Sequence, residues 1–179
     1  IGANKLFTSD VSLMEETQKP WPLVHADGSV TTEIVHSVRK PSAAPNPSPL
    51  LFRGAIKTTV RGFLSTYAIR AKADYGYDKN TLYGVDWASS YVSPPSNVEG
   101  FSAPLLTLGM SGGREFLASE VINDHAKSPD KTLAFIEGAT HGYTPCKECE
   151  TTPGQFGDTI KTTYDYADLW LSKPGRFIN

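Results

Sequence analysis

No stretch of this 179-residue chain approaches the roughly 18 consecutive apolar residues needed to cross a bilayer. Nor does either sign of charge prevail. Seventeen Lys and Arg stand against 19 Asp and Glu, a net charge of -2 with a pI near 6.1, which gives no general pull toward nucleic acid or an anionic membrane. The opening residues, IGANKLFTSD, have neither a basic n-region nor an apolar h-region, so no signal peptide is read there. They also lack an initiator Met, and a processed chain or a fragment is expected. Cysteine is scarce: Cys146 and Cys149 are too few for a disulfide framework. The single glycosylation candidate, Asn46, is cancelled by Pro47. These two absences lean toward an intracellular protein. Gly112-Gly113 has neither the following Lys-Ser/Thr of a phosphate loop nor the spacing of a dinucleotide loop, so no nucleotide cofactor is expected.

What is present is an ordinary globular composition, 39% hydrophobic and 20% charged, in a chain long enough to bury one core. It divides into three stretches. Residues 1–50 read as irregular, with Pro20, Pro22, Asp27 and Gly28 as turn markers and one short strand over 31–38. They end in KPSAAPNPSP, whose four prolines in ten residues mark an extended linker or surface loop. Residues 51–100 hold a helix capped by Thr58 or Thr59, with Val60, Phe63, Leu64, Tyr67, Ala68 and Ala71 on one face. An aromatic, turn-rich segment from Asp74 to Gly100 follows, read as loops with a short element around Val85 to Tyr91.

Residues 101–179 are the most regular. Leu105 to Leu108 suits a buried parallel strand, Arg114 to Lys127 a helix stopped by Pro129, and Thr132 to Glu137 a second buried strand. Asp158 or Thr159 caps a last helix with Ile160, Tyr164, Ala167 and Leu171 in register, closed by Lys173-Pro174-Gly175. This β-α-β-α order implies an α/β fold with a parallel sheet and flanking helices.

The run from Pro104 to Phe177, with its strand ending in E-G-A-T-H-G and the terminal WLSKPGRF, resembles the C-terminal part of an α/β-hydrolase. GVDWASSY and NVEGF upstream look like that fold's lid or connecting segment. The resemblance implies a serine-type hydrolase of an ester, amide or related acyl substrate, with His141 as the catalytic base and no metal or cofactor. An imidazole after the last strand, titrating near neutral pH, suits proton transfer between a serine and a leaving group.

GMSGG, Gly109 to Gly113, also fits the nucleophile-elbow pattern G-x-S-x-G and makes Ser111 a candidate nucleophile. Yet the interval from Ser111 to His141 holds one helix and one strand, enough for the step from acid to base and too little for the whole triad. The preferred reading makes LLTLGMSGG the strand that carries the acid's loop. The resemblance would place an Asp where Gly112 stands, so the acid is sought in the following helix, at Glu120 in preference to Glu115. On this reading the nucleophile and the first half of the sheet come from elsewhere: a second polypeptide or a homo-oligomeric partner. The alternative is a non-catalytic structural or regulatory half of a hydrolase-like assembly. The C-x-x-C pair after His141 reads as an inert loop or local disulfide, with a metal or redox site as lesser options.

Overall fold

The computed structural model describes residues 15–39, 58–66, 68–113 and 116–177. The Pro-rich stretch over 40–49 lies outside them. Among these residues six strands, β1 (Glu16–Val24), β2 (Val30–His36), β3 (Arg70–Tyr77), β4 (Leu82–Asp86), β5 (Leu105–Met110) and β6 (Lys131–Ile136), occur with helices α1 (Val60–Thr66), α2 (Pro94–Asn97), α3 (Phe116–His125) and α4 (Thr159–Leu171). Four strands form one sheet in the order β2-β1-β6-β5; β3 and β4 form a separate hairpin. β5, β6 and β1 run parallel, and β2 is antiparallel to β1. The chain is therefore α/β with a mostly parallel sheet.

Alternation along the strands explains the layers. Leu23, Val35, Leu133 and Phe135 share one cluster with Phe116 of α3, whereas Val24, Met110, Ala134 and Ile136 share another, against which Tyr166 of α4 packs. Successive strand residues point to opposite faces, so α3 and α4 cover opposite sides of the sheet. Gly109 is part of this packing. A β-carbon there would lie 2.3 Å from the Phe135 ring, so the first glycine of GMSGG makes room for the core.

β1 was expected to be irregular because of Pro20 and Pro22, and the structure shows how a strand accommodates them. The Val24 carbonyl accepts from Glu137 N–H, which turns that edge of β1 toward β6. Pro20 and Pro22 share its parity and have no N–H to give, so the β1/β6 ladder is confined to Leu23↔Phe135 and Val24↔Ile136. A register irregularity between Glu16 and Pro20 absorbs the rest.

The helix expected through Ala71 stops at Thr66, and Arg70 to Tyr77 is strand. Thr59 does cap it, accepting from Gly62 N–H. Val60, Phe63 and Leu64 lie exposed, so burial of this stripe does not drive the helix onward. The expected aromatic loop is instead the β3-β4 hairpin, closed by the Asp78 carboxylate accepting from the backbone N–H groups of Asn80 and Thr81. Its tip meets the start of β1, where Lys79 pairs with Glu16 at 2.7 Å. That is the amino edge of the parallel strands, so the hairpin tip does not overhang the His141 loop at their carboxyl edge.

α4 begins where expected, with Asp158 accepting from Lys161 N–H. Its phase differs from the expected one. Ile160, Tyr164 and Leu171 face solvent, while Thr159, Thr162, Thr163 and Trp170 are buried.

Candidate functional site

Open α/β sheets collect ligands at the carboxyl ends of their parallel strands, and here that edge is formed by Val24-His25, Ile136-Glu137 and Met110-Ser111. After β6 the chain turns at Gly138, whose φ of +67° and contact with Phe156 leave no space for a side chain. Ala139 then bridges to Pro145. Between them Tyr143 N–H donates to the Thr140 carbonyl at 2.8 Å, which places His141 and Gly142 at the two central positions of a tight turn. His141 is exposed at its apex. Tyr143 pays the conformational cost of the turn with φ +58°, while its ring packs on the cluster around Ala139.

A disulfide joins Cys146 and Cys149 just beyond this turn, buried with Phe156 and flanked by Val38. Of the readings open for the C-x-x-C pair, the local disulfide is the one observed. No group of three or more His, Cys, Asp or Glu arranged to hold a metal occurs among the described residues.

Ser111 is 1% exposed. Its Oγ accepts from Gly138 N–H at 2.8 Å, and its carbonyl accepts from Val38 N–H. A nucleophile elbow presents its hydroxyl to substrate, whereas this serine fastens the start of the His141 loop to the end of β5. Gly112 N–H donates to the Ala139 carbonyl at 2.9 Å. A β-carbon on Gly112 would come within 2.9 Å of Cys146 Cβ and the Gly138 carbonyl and 3.0 Å of the Ala139 carbonyl. The position where the resemblance would put an Asp therefore has no room for any side chain. The three residues at the heart of the motif have packing and backbone roles.

Glu120 is placed away from His141, contrary to expectation. Its buried carboxylate accepts from the backbone N–H of Gln18 (2.9 Å) and Lys19 (3.2 Å) and from Trp21 Nε1 (2.7 Å). These donors belong to the part of β1 before Pro22, where β6 offers no ladder. Leu23 is level with Phe135, so Gln18 lies roughly 16 Å back along the strands from the carboxyl edge. The carboxylate completes the hydrogen bonding of β1. Glu115 lies outside the described residues.

His25 stands at the same edge, directly after Val24 of β1. In the structure its Nδ1 is 2.8 Å from Glu137 Oε2 and its Nε2 is 2.8 Å from Thr31 Oγ1. Register explains the meeting: His25 and Glu137 each follow the last paired residue of neighbouring parallel strands, and Thr31 stands opposite Leu23. The separation of 112 residues between His25 and Glu137 leaves no local signal for this pair. His125 ends α3 and pairs with Glu99 at 2.8 Å.

The carboxyl edge thus carries two histidines: His141 on an exposed turn, and His25 between a carboxylate and a hydroxyl. The chain matches no family model, no curated protein and no solved structure, so what it does must be read from this edge.

Proposed function

We propose that this chain is the base-bearing part of an α/β-hydrolase-like assembly that cleaves an ester, amide or related acyl substrate, with His141 as general base. The observation that carries the reading is β5. Its sequence, LLTLGM, is the continuous apolar run of a strand with neighbours on both sides, yet it forms an edge of the sheet, and no strand pairs with its outer side among the described residues. Strands added there, from a second polypeptide or another copy of the chain, would extend the carboxyl edge next to His141. The nucleophile would come from those strands. With Glu120 engaged by β1, Glu115 becomes the orienting acid of this proposal. His141 would take the nucleophile's proton and return it to the leaving group.

Native mass spectrometry of the isolated protein tests the assembly, and a fluorophosphonate probe with p-nitrophenyl ester turnover tests the chemistry. The expected result is a second chain or copy, probe labelling of a serine on its strands, and loss of that labelling in His141→Ala. Labelling of that serine at an unchanged rate in His141→Ala overturns the assignment. A non-catalytic half is the second reading, favoured by the structural engagement of Ser111, Gly112 and Glu120. It predicts an assembled protein that neither labels nor turns over ester.

A further inference from the structure

The contacts of His25 have the geometry of a nucleophile, its base and an orienting acid. A carboxylate has no proton to give, so the 2.8 Å contact with Glu137 requires a hydrogen on Nδ1. In the neutral ring the lone pair is then on Nε2, facing the Thr31 hydroxyl at 2.8 Å. A hydroxyl within hydrogen-bond reach of an imidazole, itself oriented by a third group, is the arrangement that activates Ser or Thr for acyl transfer. The location is also suitable. Thr31 is exposed on the outer strand β2, and His25 and Glu137 are only partly covered, with side-chain exposures of 25% and 28%. The loop from Ala26 to Ser29 holds His25 in place through His25 N–H to the Ser29 carbonyl and Gly28 N–H to the His25 carbonyl.

One further group faces this chain of contacts. Glu33 Oε1 is 2.5 Å from Thr31 Oγ1 and competes for the hydroxyl's single hydrogen. While Thr31 donates to Glu33, its single hydrogen is not available to Nε2, and the base is idle. When Glu33 swings away, the hydroxyl is free to donate to Nε2.

We propose that Thr31, His25 and Glu137 form a nucleophilic site for acyl transfer, distinct from His141, with Glu33 restraining the nucleophile. Thr31 Oγ attacks the carbonyl carbon of an ester as its proton passes to His25 Nε2. The acyl–oxygen bond to the leaving group breaks, and that alkoxide takes the proton from His25. Water, deprotonated by the same nitrogen, releases the acid and restores Thr31. Glu33, Glu137 and the nearby Asp27, whose carboxyl is held low by its hydrogen bonds from Ser29, surround the site with negative charge. Neutral or cationic acyl donors are therefore its class of substrate, and anionic donors such as acyl phosphates are repelled.

The test is acid-quenched peptide mass spectrometry after incubation with p-nitrophenyl acetate. The expected result is acetyl on Thr31, absent in Thr31→Val, retained in Thr31→Ser, and formed about 100-fold more slowly in His25→Asn, the usual scale of a general base. Glu33→Gln should accelerate acetylation, since its amide can donate to Thr31 Oγ1 and leave the hydroxyl's hydrogen for His25. The acetyl is read on the Thr31 peptide itself, apart from any fluorophosphonate adduct on a serine of the assembly, which separates this site from the one proposed above. Acetyl found only on lysines, or on Thr31 at the same rate in His25→Asn, overturns the proposal. Should His25→Asn fail to fold by circular dichroism, the Thr31→Ser and Thr31→Val pair decides: equal labelling of the Thr31 peptide in both rejects it.

Discussion

Glu120 offers a direct contest between structure and catalysis. Replacing it with Ala removes the acceptor for two backbone N–H groups and one indole N–H. A hydrogen bond to a charged group contributes about 1.5–3 kcal/mol when its loss leaves the partner buried and unpaired. Gln18 and Lys19 are exposed residues, so water can replace part of what the carboxylate supplies to their N–H groups. Taking about 1 kcal/mol for each of the three donors gives a loss of about 3 kcal/mol for Glu120→Ala. Glu120→Gln, which keeps the shape and one carbonyl acceptor, should lose about half of that. In urea titrations the midpoint should fall without a change in slope, and the melting temperature should drop by about 6–12 °C for a chain of this size. A variant within about 0.5 kcal/mol of the parent refutes the structural role. Loss of His141-dependent hydrolysis at unchanged stability would return Glu120 to the site.

Three further outcomes follow from the packing. Gly112→Ala forces a β-carbon against Cys146 and two carbonyls and should cost about 1–3 kcal/mol by chemical denaturation. Trp170→Ala removes a buried ring whose Nε1 donates to Thr132 and should cost about 3–5 kcal/mol, whereas Ile160→Ser, on the exposed face of the same helix, should stay within about 0.5 kcal/mol. Asp130 accepts a forked pair of hydrogen bonds from Arg176, whose guanidinium also lies 3.8 Å over the Trp170 ring, and that pairing holds its carboxyl below the usual range. The stabilisation from a lowered carboxyl is present above its unfolded value and is lost as pH falls through the folded one. Arg176→Gln should therefore flatten the acid limb of a stability–pH profile while lowering stability at neutral pH.

The strands β5 and β6 and both ends of α4 were legible because they are apolar runs and capped periodicities, which are local properties. The inward face of α4 was not. Thr162 and Thr163 donate their hydroxyls to the carbonyls of Asp158 and Thr159, four residues back, so residues that look polar enter the interior already satisfied. Ile160, Tyr164 and Leu171 are left outside on a face that sequence periodicity assigns to the core. Strand β1 was hidden by Pro20 and Pro22, whose missing donors matter only once its neighbour and the Glu120 carboxylate are known. The His141 turn was visible as Gly-rich punctuation after a strand. The His25–Glu137 contact is a product of parallel register and has no counterpart in local pattern.

The sheet order also dictates a sequence of events during folding. β1 and β2 emerge from the ribosome before the other described strands of their sheet, but Leu23 and Val24 find their parallel neighbour only when Phe135 and Ile136 have been made. The Glu120 carboxylate that serves the amino end of β1 arrives about a hundred residues after the groups it accepts from. The β1-β2 hairpin must therefore persist, with its apolar residues uncovered, until β6 is made, and such non-local closure is slow and open to aggregation. Chains halted before β6 should cling to chaperones, and release should coincide with the emergence of TLAFIE.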